Sequence, residues 1–248
     1  MNKQNIDQQE LKNFERMADD WWNPNGKLKL LHQINPLRLQ YIRESAAKIL
    51  RLDESKPKLF EGKKILDVGC GGGLLSIPLA RMGAEVTAID AVDKNINIAK
   101  AQAKKENIDR SCTISFADST IEMLPTSKQY DVICCLEVIE HVPSPSQLVA
   151  ECAKRLKPGG MLVLSTMNRT VKSLLLAKIA AEYILRWMPI GTHQWDKFLT
   201  PYEIQQFFID NKLVIDNFHG YQYSLIHKKW FFSKDLSVNY LVSSQKIT

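Results

Sequence analysis

A glycine-rich segment and an acidic residue downstream of it have the residue types and spacing of a nucleoside-binding site. The run Asp67-Val68-Gly69-Cys70-Gly71-Gly72-Gly73 follows a β-rich stretch and precedes a helical pattern. Glycines at such a turn let the backbone approach a ligand at the carboxyl ends of parallel strands. Asp90 stands 21 residues after Gly69, where a carboxylate can accept both hydroxyls of a ribose. The two features together predict a nucleoside-containing cofactor.

The spacing of the glycines narrows the choice of cofactor. Leu74 occupies the position at which the dinucleotide fingerprint GxGxxG requires its third glycine. This departure disfavours the pyrophosphate of a nicotinamide cofactor, and with it a dehydrogenase. It favours a smaller, cationic adenosine ligand.

Two carboxylates and a histidine follow the apolar run Tyr130–Leu136. Glu137, Glu140 and His141 would share one face if residues 137–141 form a helical turn. His141 could then act as general base for a phenol, whose pKa is about 10. Alternatively, the three side chains could hold Mg²⁺ or Mn²⁺, which would acidify the phenol directly. In a third interpretation Glu140 and His141 only cap and orient the loop.

Regular alternation of strand and helix patterns positions these residues. Between 63 and 168 the sequence predicts a parallel sheet covered on both faces. The predicted strands are Lys64–Val68, Ala84–Asp90, Cys112–Ala117, Tyr130–Leu136 and Met161–Thr166, and the helices between them Leu74–Met82, Asp93–Asn107 and Ser146–Leu156.

The flanks complete a single predicted domain over residues 1–248. Residues 1–60 form a helical extension, with one helix at Gln8–Trp22 and a second starting at Asn35-Pro36. Residues 169–199 form a helical insertion after the fifth strand, and residues 200–248 add a helix and two strands. The expected fold is therefore α/β, a doubly wound and mostly parallel seven-stranded Rossmann-like sheet.

Composition restricts the class of protein. The 248 residues are 45% hydrophobic, carry a net charge of +6 and include five cysteines without a CxxC pair. These values are typical of a globular protein with reduced thiols, and we expect it in the cytoplasm. Basic residues are scattered rather than massed, so nucleic acid is not an expected partner.

The core motifs resemble those of the class I S-adenosylmethionine-dependent methyltransferases. In that superfamily the first motif looks like Asp67–Gly73 and the second ends in an acid like Asp90. The resemblance implies that S-adenosylmethionine binds here, in part through Gly69 and Gly71. It also implies that Asp67 lies near the amino acid end of the cofactor and Asp118 near the adenine. A non-catalytic relative is disfavoured because the glycine loop and the acid-acid-histidine cluster are both intact.

The flanking segments resemble more specifically the ubiquinone-biosynthesis O-methyltransferase family. The resemblance covers nearly the whole chain and rests on Trp21–Gly26, Leu31–Leu39, Asn168–Thr170, Ala181–Leu185, Gly191–His193 and Val238–Tyr240. It implies cofactor contacts for Arg38, Gly69, Asp90 and Leu136, where some relatives have Met in place of Leu136. Arg38 would hold the carboxylate of the cofactor, because a guanidinium binds carboxylate at two points.

Family resemblance also implies the acceptors and the partners. The acceptors would be a polyprenylated catechol of the 2-polyprenyl-6-hydroxyphenol type and 3-demethylubiquinol, with a ubiquinone-biosynthesis assembly as a possible partner. Eukaryotic relatives are associated with a divalent metal at the cluster that corresponds to Glu137, Glu140 and His141, so Mg²⁺ is a possible second cofactor.

The insertion carries a broad apolar helical pattern. From Lys172 to Met188 a narrow polar stripe of Lys178, Glu182 and Arg186 repeats every four residues. Residues 172–189 could dock at the surface of the inner membrane, on its cytoplasmic side, where a substrate with a polyprenyl tail resides. The same helix could also pack on the domain or form a lid, with His193 and Trp195 lining the site.

Overall fold

The computed structural model describes residues 5–108, 112–175, 195–224 and 226–247. Five parallel strands form the centre of the sheet, and three antiparallel strands extend one edge in the order β3-β2-β1-β4-β5-β8-β6-β7. The strands are β1 (Lys64–Val68), β2 (Glu85–Asp90), β3 (Ile114–Asp118), β4 (Tyr130–Leu136), β5 (Leu156–Met167), β6 (Leu213–Ser224), β7 (Lys229–Ser233) and β8 (Asn239–Lys246).

Helices precede the sheet and cover both of its faces. They are α1 (Gln8–Met17), α2 (Lys29–Ile49), α3 (Ser76–Arg81), α4 (Asp93–Lys105), α5 (Pro145–Arg155), the short α6 (Val171–Ser173) and α7 (Pro201–Asp210). Short 3₁₀ turns lie at Ala18–Asp20, Ile121–Met123, Ile139–His141 and Trp195–Lys197.

Side chains of the central strands alternate between two cores. Val132 and Cys134 of β4 pack with α2, α3 and α4 on one face, whereas Ile133 and Cys135 pack with α5 and α7 on the other. This alternation explains why β4 is almost continuously apolar, as expected for a parallel strand buried on both faces. The parallel core predicted from the sequence is confirmed.

Two features of the fold differ from the expectation. The described residues form eight strands rather than seven, because β6 extends to Ser224 and a further strand, β7, pairs with it in antiparallel orientation. The second helix begins at Lys29 and not at Asn35, so Pro36 lies inside it. Asn35 does not cap this helix, since its side-chain amide donates to the backbone oxygen of Leu74 at 2.9 Å.

Candidate functional site

A cavity of about 650 Å³ lies at the carboxyl ends of β1, β2 and β4. Gly69, Asp90 and Leu136 contribute to its floor, as the sequence predicts for these three positions. Its roof comes largely from the N-terminal extension, of which the sequence pointed only to Arg38 as a residue of the site. The roof residues include Glu10, Leu11, Phe14, Met17, Trp21, Leu31, Ile34 and Arg38.

Glycines of the loop after β1 are required by space as well as by backbone angle. Gly69 has a φ of +70°, and a Cβ added to it would lie 2.4 Å from Cγ2 of Val138. Gly71 has a φ of +54°, and its Cβ would overlap the indole of Trp21. A positive φ is strained for residues that have a Cβ. Gly69 reaches the cavity, whereas Gly71 is not among the described residues that line it.

The carboxylate of Asp90 connects this loop to the second strand. Its Oδ2 accepts the N–H of Gly71 at 2.9 Å, and its Oδ1 accepts the N–H of Val92 at 2.9 Å and the amide of Asn95 at 3.1 Å. Burial raises the pKa of Asp90. Each oxygen of a carboxylate can accept two hydrogen bonds, so Oδ2 retains capacity for a ligand hydroxyl in the cavity.

Asp67 is a buried carboxylate at the end of β1 that also lines the cavity. Its Oδ2 accepts the hydroxyl of Ser76 at 2.5 Å. Burial raises the pKa of Asp67 to about 7. A cationic ammonium group placed beside it would restore the charged form, which fits the amino group of the expected cofactor.

Arg38 reaches the cavity from α2 and is 7% exposed. One of its terminal nitrogens, Nη2, lies 2.7 Å from Oε1 of Glu137. Within the described part of the chain, Nε has no hydrogen-bond partner. A buried donor costs free energy until it is paired. The unpaired Nε of the guanidinium therefore fits a carboxylate oxygen that lies in the cavity.

Glu137 does not share a helical face with Glu140 and His141, so the expected arrangement of these three residues is wrong. Glu137 has a φ of +55°, and only Ile139–His141 form a turn, of the 3₁₀ type. Oε1 of Glu137 also accepts the hydroxyls of Ser165 at 2.7 Å and Tyr221 at 3.1 Å. This carboxylate is thus directed towards Arg38 and the sheet.

Glu140 and His141 lie in two different environments. Glu140 is 3% exposed and accepts the hydroxyl of Thr166 at 3.0 Å, and burial raises its pKa to about 7. Nδ1 of His141 lies 3.1 Å from Oε2 of Glu10. Burial alone would lower the pKa of His141, but the carboxylates of Glu10 and Glu140 outweigh it and the pKa is raised. His141 is therefore a basic imidazole at the wall of the cavity.

The donor set does not fit a divalent metal ion. Oε1 of Glu137 already pairs with the guanidinium of Arg38, Glu140 is buried against the hydroxyl of Thr166, and Nδ1 of His141 is engaged by Glu10. Over the described ranges, no group of three His, Cys, Asp or Glu side chains could hold a metal ion. The predicted set of Glu137, Glu140 and His141 is therefore not brought together as a metal site.

Asp118, expected near the adenine, is exposed and is not among the described residues of the cavity wall. Ser119 instead donates its N–H to the backbone oxygen of Asp90 at 3.0 Å, so the chain turns after β3. This turn places residues 119–122 in the wall. The turn lies at the expected end of β3, but the residues that line the cavity are the next ones along the chain.

Only the beginning and the end of the insertion are described. The expected helix Lys172–Met188 and His193 fall largely or wholly within residues 176–194, outside the described residues. Trp195 was expected to line the site, yet it donates to the backbone oxygen of Thr170 at 2.8 Å and packs near Met167 and Phe198. No helix in the described parts of the chain is long and apolar enough to cross a membrane.

Solved structures of methyltransferases have the same fold. Magnesium protoporphyrin IX methyltransferase from Synechocystis PCC 6803, with bound SAH, superposes with a TM-score of 0.64 at 21% identity, covering 95% of this chain and 94% of that one. The N-methyltransferase NodS from Bradyrhizobium japonicum WM9 gives a TM-score of 0.56 at 18% identity, covering 96% and 98%. At these identities the likeness concerns the fold alone.

Sequence relatives give the family. A family model described as a methyltransferase domain matches residues 37–213. A ubiquinone biosynthesis O-methyltransferase from Bradyrhizobium sp. (strain ORS 278) is 41% identical, covering 98% of this chain and 94% of the relative. One from Cereibacter sphaeroides (strain ATCC 17029) is 43% identical, with 98% of both chains covered. The chain therefore belongs to the ubiquinone biosynthesis O-methyltransferase family, which confirms the resemblance seen in its motifs.

Proposed function

We propose that the chain transfers the methyl group of S-adenosylmethionine to phenolic oxygens of ubiquinone precursors. The acceptors are a polyprenylated catechol of the 2-polyprenyl-6-hydroxyphenol type and 3-demethylubiquinol. The observation that carries this proposal is the single cavity that runs from the glycine loop at Gly69 to His141. A methyl donor on the loop and a phenol at the imidazole would share one continuous cavity, as direct transfer between them requires.

Four groups of this chain fit the methyl donor. The free Nε of Arg38 and the carboxylate of Asp67 suit its amino acid end, Asp90 suits the ribose and residues 119–122 suit the adenine side. When bound, the cofactor supplies an electrophilic methyl group on a sulfonium. A cationic ligand also offsets the burial of Asp67 and Asp90, whose carboxylates otherwise lie close together in an apolar floor.

His141 is the general base in this mechanism. Nδ1 is engaged by Glu10, so Nε2 is the ring nitrogen left to take the phenolic proton. The phenolate oxygen then forms its new bond to the methyl carbon as the carbon–sulfur bond breaks. The carboxylates of Glu10 and Glu140 stabilise the imidazolium that results, since they raise the pKa of His141.

The walls of the cavity suit an apolar acceptor. Phe14 contacts the imidazole of His141, and Leu11, Val142, Met167 and Trp230 also line the cavity. Such a surface favours a prenylated ring over a polar one because it gains from burial of apolar area.

We also propose that residues 172–189 contact the cytoplasmic surface of the inner membrane, where a polyprenylated acceptor is found. In support, Val171, just before this segment, is 69% exposed, and Leu175, near its start, is 51% exposed. Apolar side chains beside basic ones suit the boundary between headgroups and acyl chains. A ubiquinone-biosynthesis assembly at the same surface is part of this proposal.

The test is a transfer assay with labelled S-adenosylmethionine and a short-chain prenylated catechol, run in EDTA and then with added Mg²⁺. We expect label on the ring oxygen in both conditions, because the donor set does not fit a metal. Binding of the cofactor without transfer to any phenol would refute the proposed acceptor. Loss of transfer in EDTA with rescue by Mg²⁺ would refute the metal-independent mechanism.

Membrane contact is tested separately by flotation with liposomes. Deletion of Val171–Pro189 is expected to abolish the association while cofactor binding, measured by calorimetry, persists. Unchanged flotation of the deletion variant would refute this part of the proposal.

A further inference from the structure

Glu10 is a buried carboxylate of the N-terminal extension that no motif identified. It lies on α1 and is 5% exposed. Its Oε2 lies 3.1 Å from Nδ1 of His141, although the two residues are 131 positions apart in the chain. Carboxylates are rarely buried without a specific partner. The contact with His141 provides such a partner and links α1 to the active site.

Several contacts fix Glu10 in place. Its other oxygen, Oε1, lies 3.3 Å from Nζ of Lys197, and the same Nζ lies 3.0 Å from Oδ2 of Asp7. Asp7 caps α1 by accepting the N–H of Gln9 at 2.9 Å. The amide of Asn5 exchanges two hydrogen bonds of 2.7 Å with the backbone of residue 144. The carboxylate is therefore held from its own helix and from the chain that follows the insertion.

The imidazole is also held by packing. The ring of Phe14, one turn after Glu10 on α1, contacts the ring of His141 edge to face with centroids 4.9 Å apart. Residues four apart on a helix share one face. The same face of α1 therefore supplies both a hydrogen-bond acceptor and an aromatic wall to His141.

We infer that Glu10 is a positioning residue for the proposed base His141, and that α1 contributes to the active site through it. This inference rests on the proposed function. Glu10 accepts the Nδ1 proton, which fixes the tautomer and directs the lone pair of Nε2 to the acceptor. A carboxylate in this position also stabilises the imidazolium formed when the phenol gives up its proton. The site is complete only when α1 is docked.

Acceptors of different acidity distinguish the positioning of His141 by Glu10 from a purely structural role of Glu10 in anchoring α1. A weakly acidic catechol must lose its proton to His141 during the reaction. A nitro-substituted catechol is already ionised at the assay pH and has no need of the base. Loss of positioning should therefore lower the rate of methylation of the weakly acidic catechol much more than that of the nitro-substituted catechol. A loosened α1 would lower both rates equally.

The experiment compares Glu10→Gln and Glu10→Ala with the wild type on both acceptors. For the weakly acidic catechol we expect kcat to fall roughly 10- to 100-fold, more for Ala than for Gln, with little change in the KM for S-adenosylmethionine. Gln retains an acceptor oxygen but no charge. With the nitrocatechol the loss should stay within a few-fold. Glu15→Gln, at an exposed position of α1, is the matched control and should behave like the wild type.

Two further measurements make the result independent of stability. In a His141→Ala background, Glu10→Gln should cause no additional loss, because the two residues act as a unit. Nitrogen-15 NMR of the imidazole should show the Nδ1-protonated tautomer in the wild type and a mixture in Glu10→Ala. Equal losses with both acceptors, additive effects with His141→Ala, or an unchanged tautomer would overturn the inference. A wild type that methylates neither catechol would instead refute the proposed function, and the inference with it.

Discussion

Replacement of Gly69 by Ala tests whether the loop after β1 is constrained by backbone angle, by space or by both. Gly69 has a φ of +70°, and its added Cβ would lie 2.4 Å from Cγ2 of Val138. Gly62 provides a matched control, because its φ is +73° and a Cβ added to it meets nothing within 4 Å. Gly62→Ala therefore reports the backbone strain alone.

The two contributions differ in size and in how they can be relieved. A residue with a Cβ in the left-handed region costs about 1 to 2 kcal/mol, so this is the destabilisation expected for Gly62→Ala. Overlap with a packed neighbour adds about 1 to 3 kcal/mol, so Gly69→Ala should lose about 2 to 5 kcal/mol in total. Val138→Ala removes the overlapping methyl. The double variant should recover the second contribution and keep the first.

Urea unfolding of the four variants, followed by circular dichroism, measures these differences as a double-mutant cycle. Calorimetry with S-adenosylmethionine adds a functional reading, since displacement of Val138 would disturb the loop that leads to His141. The reasoning is refuted if Gly69→Ala is no less stable than Gly62→Ala. It is equally refuted if the effects of Gly69→Ala and Val138→Ala are additive, because the overlap would then not exist.

Three further predictions concern the ligand and the charges around it. Arg38→Lys should weaken S-adenosylmethionine about 10-fold or more in calorimetry, because a charge-assisted hydrogen bond from Nε is lost; an unchanged Kd would contradict the assignment. Initial rates should be equal in EDTA and in Mg²⁺, because Oε1 of Glu137 already pairs with the guanidinium of Arg38; a metal-dependent rate would contradict this prediction. Asp67 has its pKa raised to about 7, so stability from its buried neutral acid is present at pH 4 and is lost as the pH rises through 7. In urea titrations of Asp67→Asn at several pH values, the free energy of unfolding should not show this decrease. A pH profile parallel to that of the wild type would refute the prediction.

The parallel core could be predicted because its signals are local. A strand buried on both faces has to be largely apolar, and the run around Ile133 satisfies this within seven residues. The approach of Gly71 to Asp90 follows from the same logic. Adjacent parallel strands end at one edge of the sheet, and the 2.9 Å hydrogen bond between these two residues confirms it.

The cluster after β4 could not be predicted in the same way. Spacing of three and four residues indicates a shared face only if the backbone is helical. Glu137 instead has a left-handed backbone, and its N–H donates to the backbone oxygen of Ser165 on the neighbouring strand at 3.1 Å. It is therefore hydrogen-bonded to β5 just beyond the end of β4, and its carboxylate meets Arg38. Neither partner is close to Glu137 in the chain.

The roof of the cavity gives the glycine run a second structural reason that the sequence does not show. Glycines at 71 and 72 indicate close approach of a ligand, but the indole of Trp21 fills the space that their Cβ atoms would take. Nε1 of Trp21 donates to Asn95 at 2.8 Å, and the amide of Asn95 donates to Asp90 at 3.1 Å. The cofactor loop, the roof and the expected ribose-binding acid are thus one hydrogen-bonded unit. Substitution at Gly71 would displace the N-terminal extension that carries Glu10, so the glycine run serves the acceptor side of the site as well as the donor side.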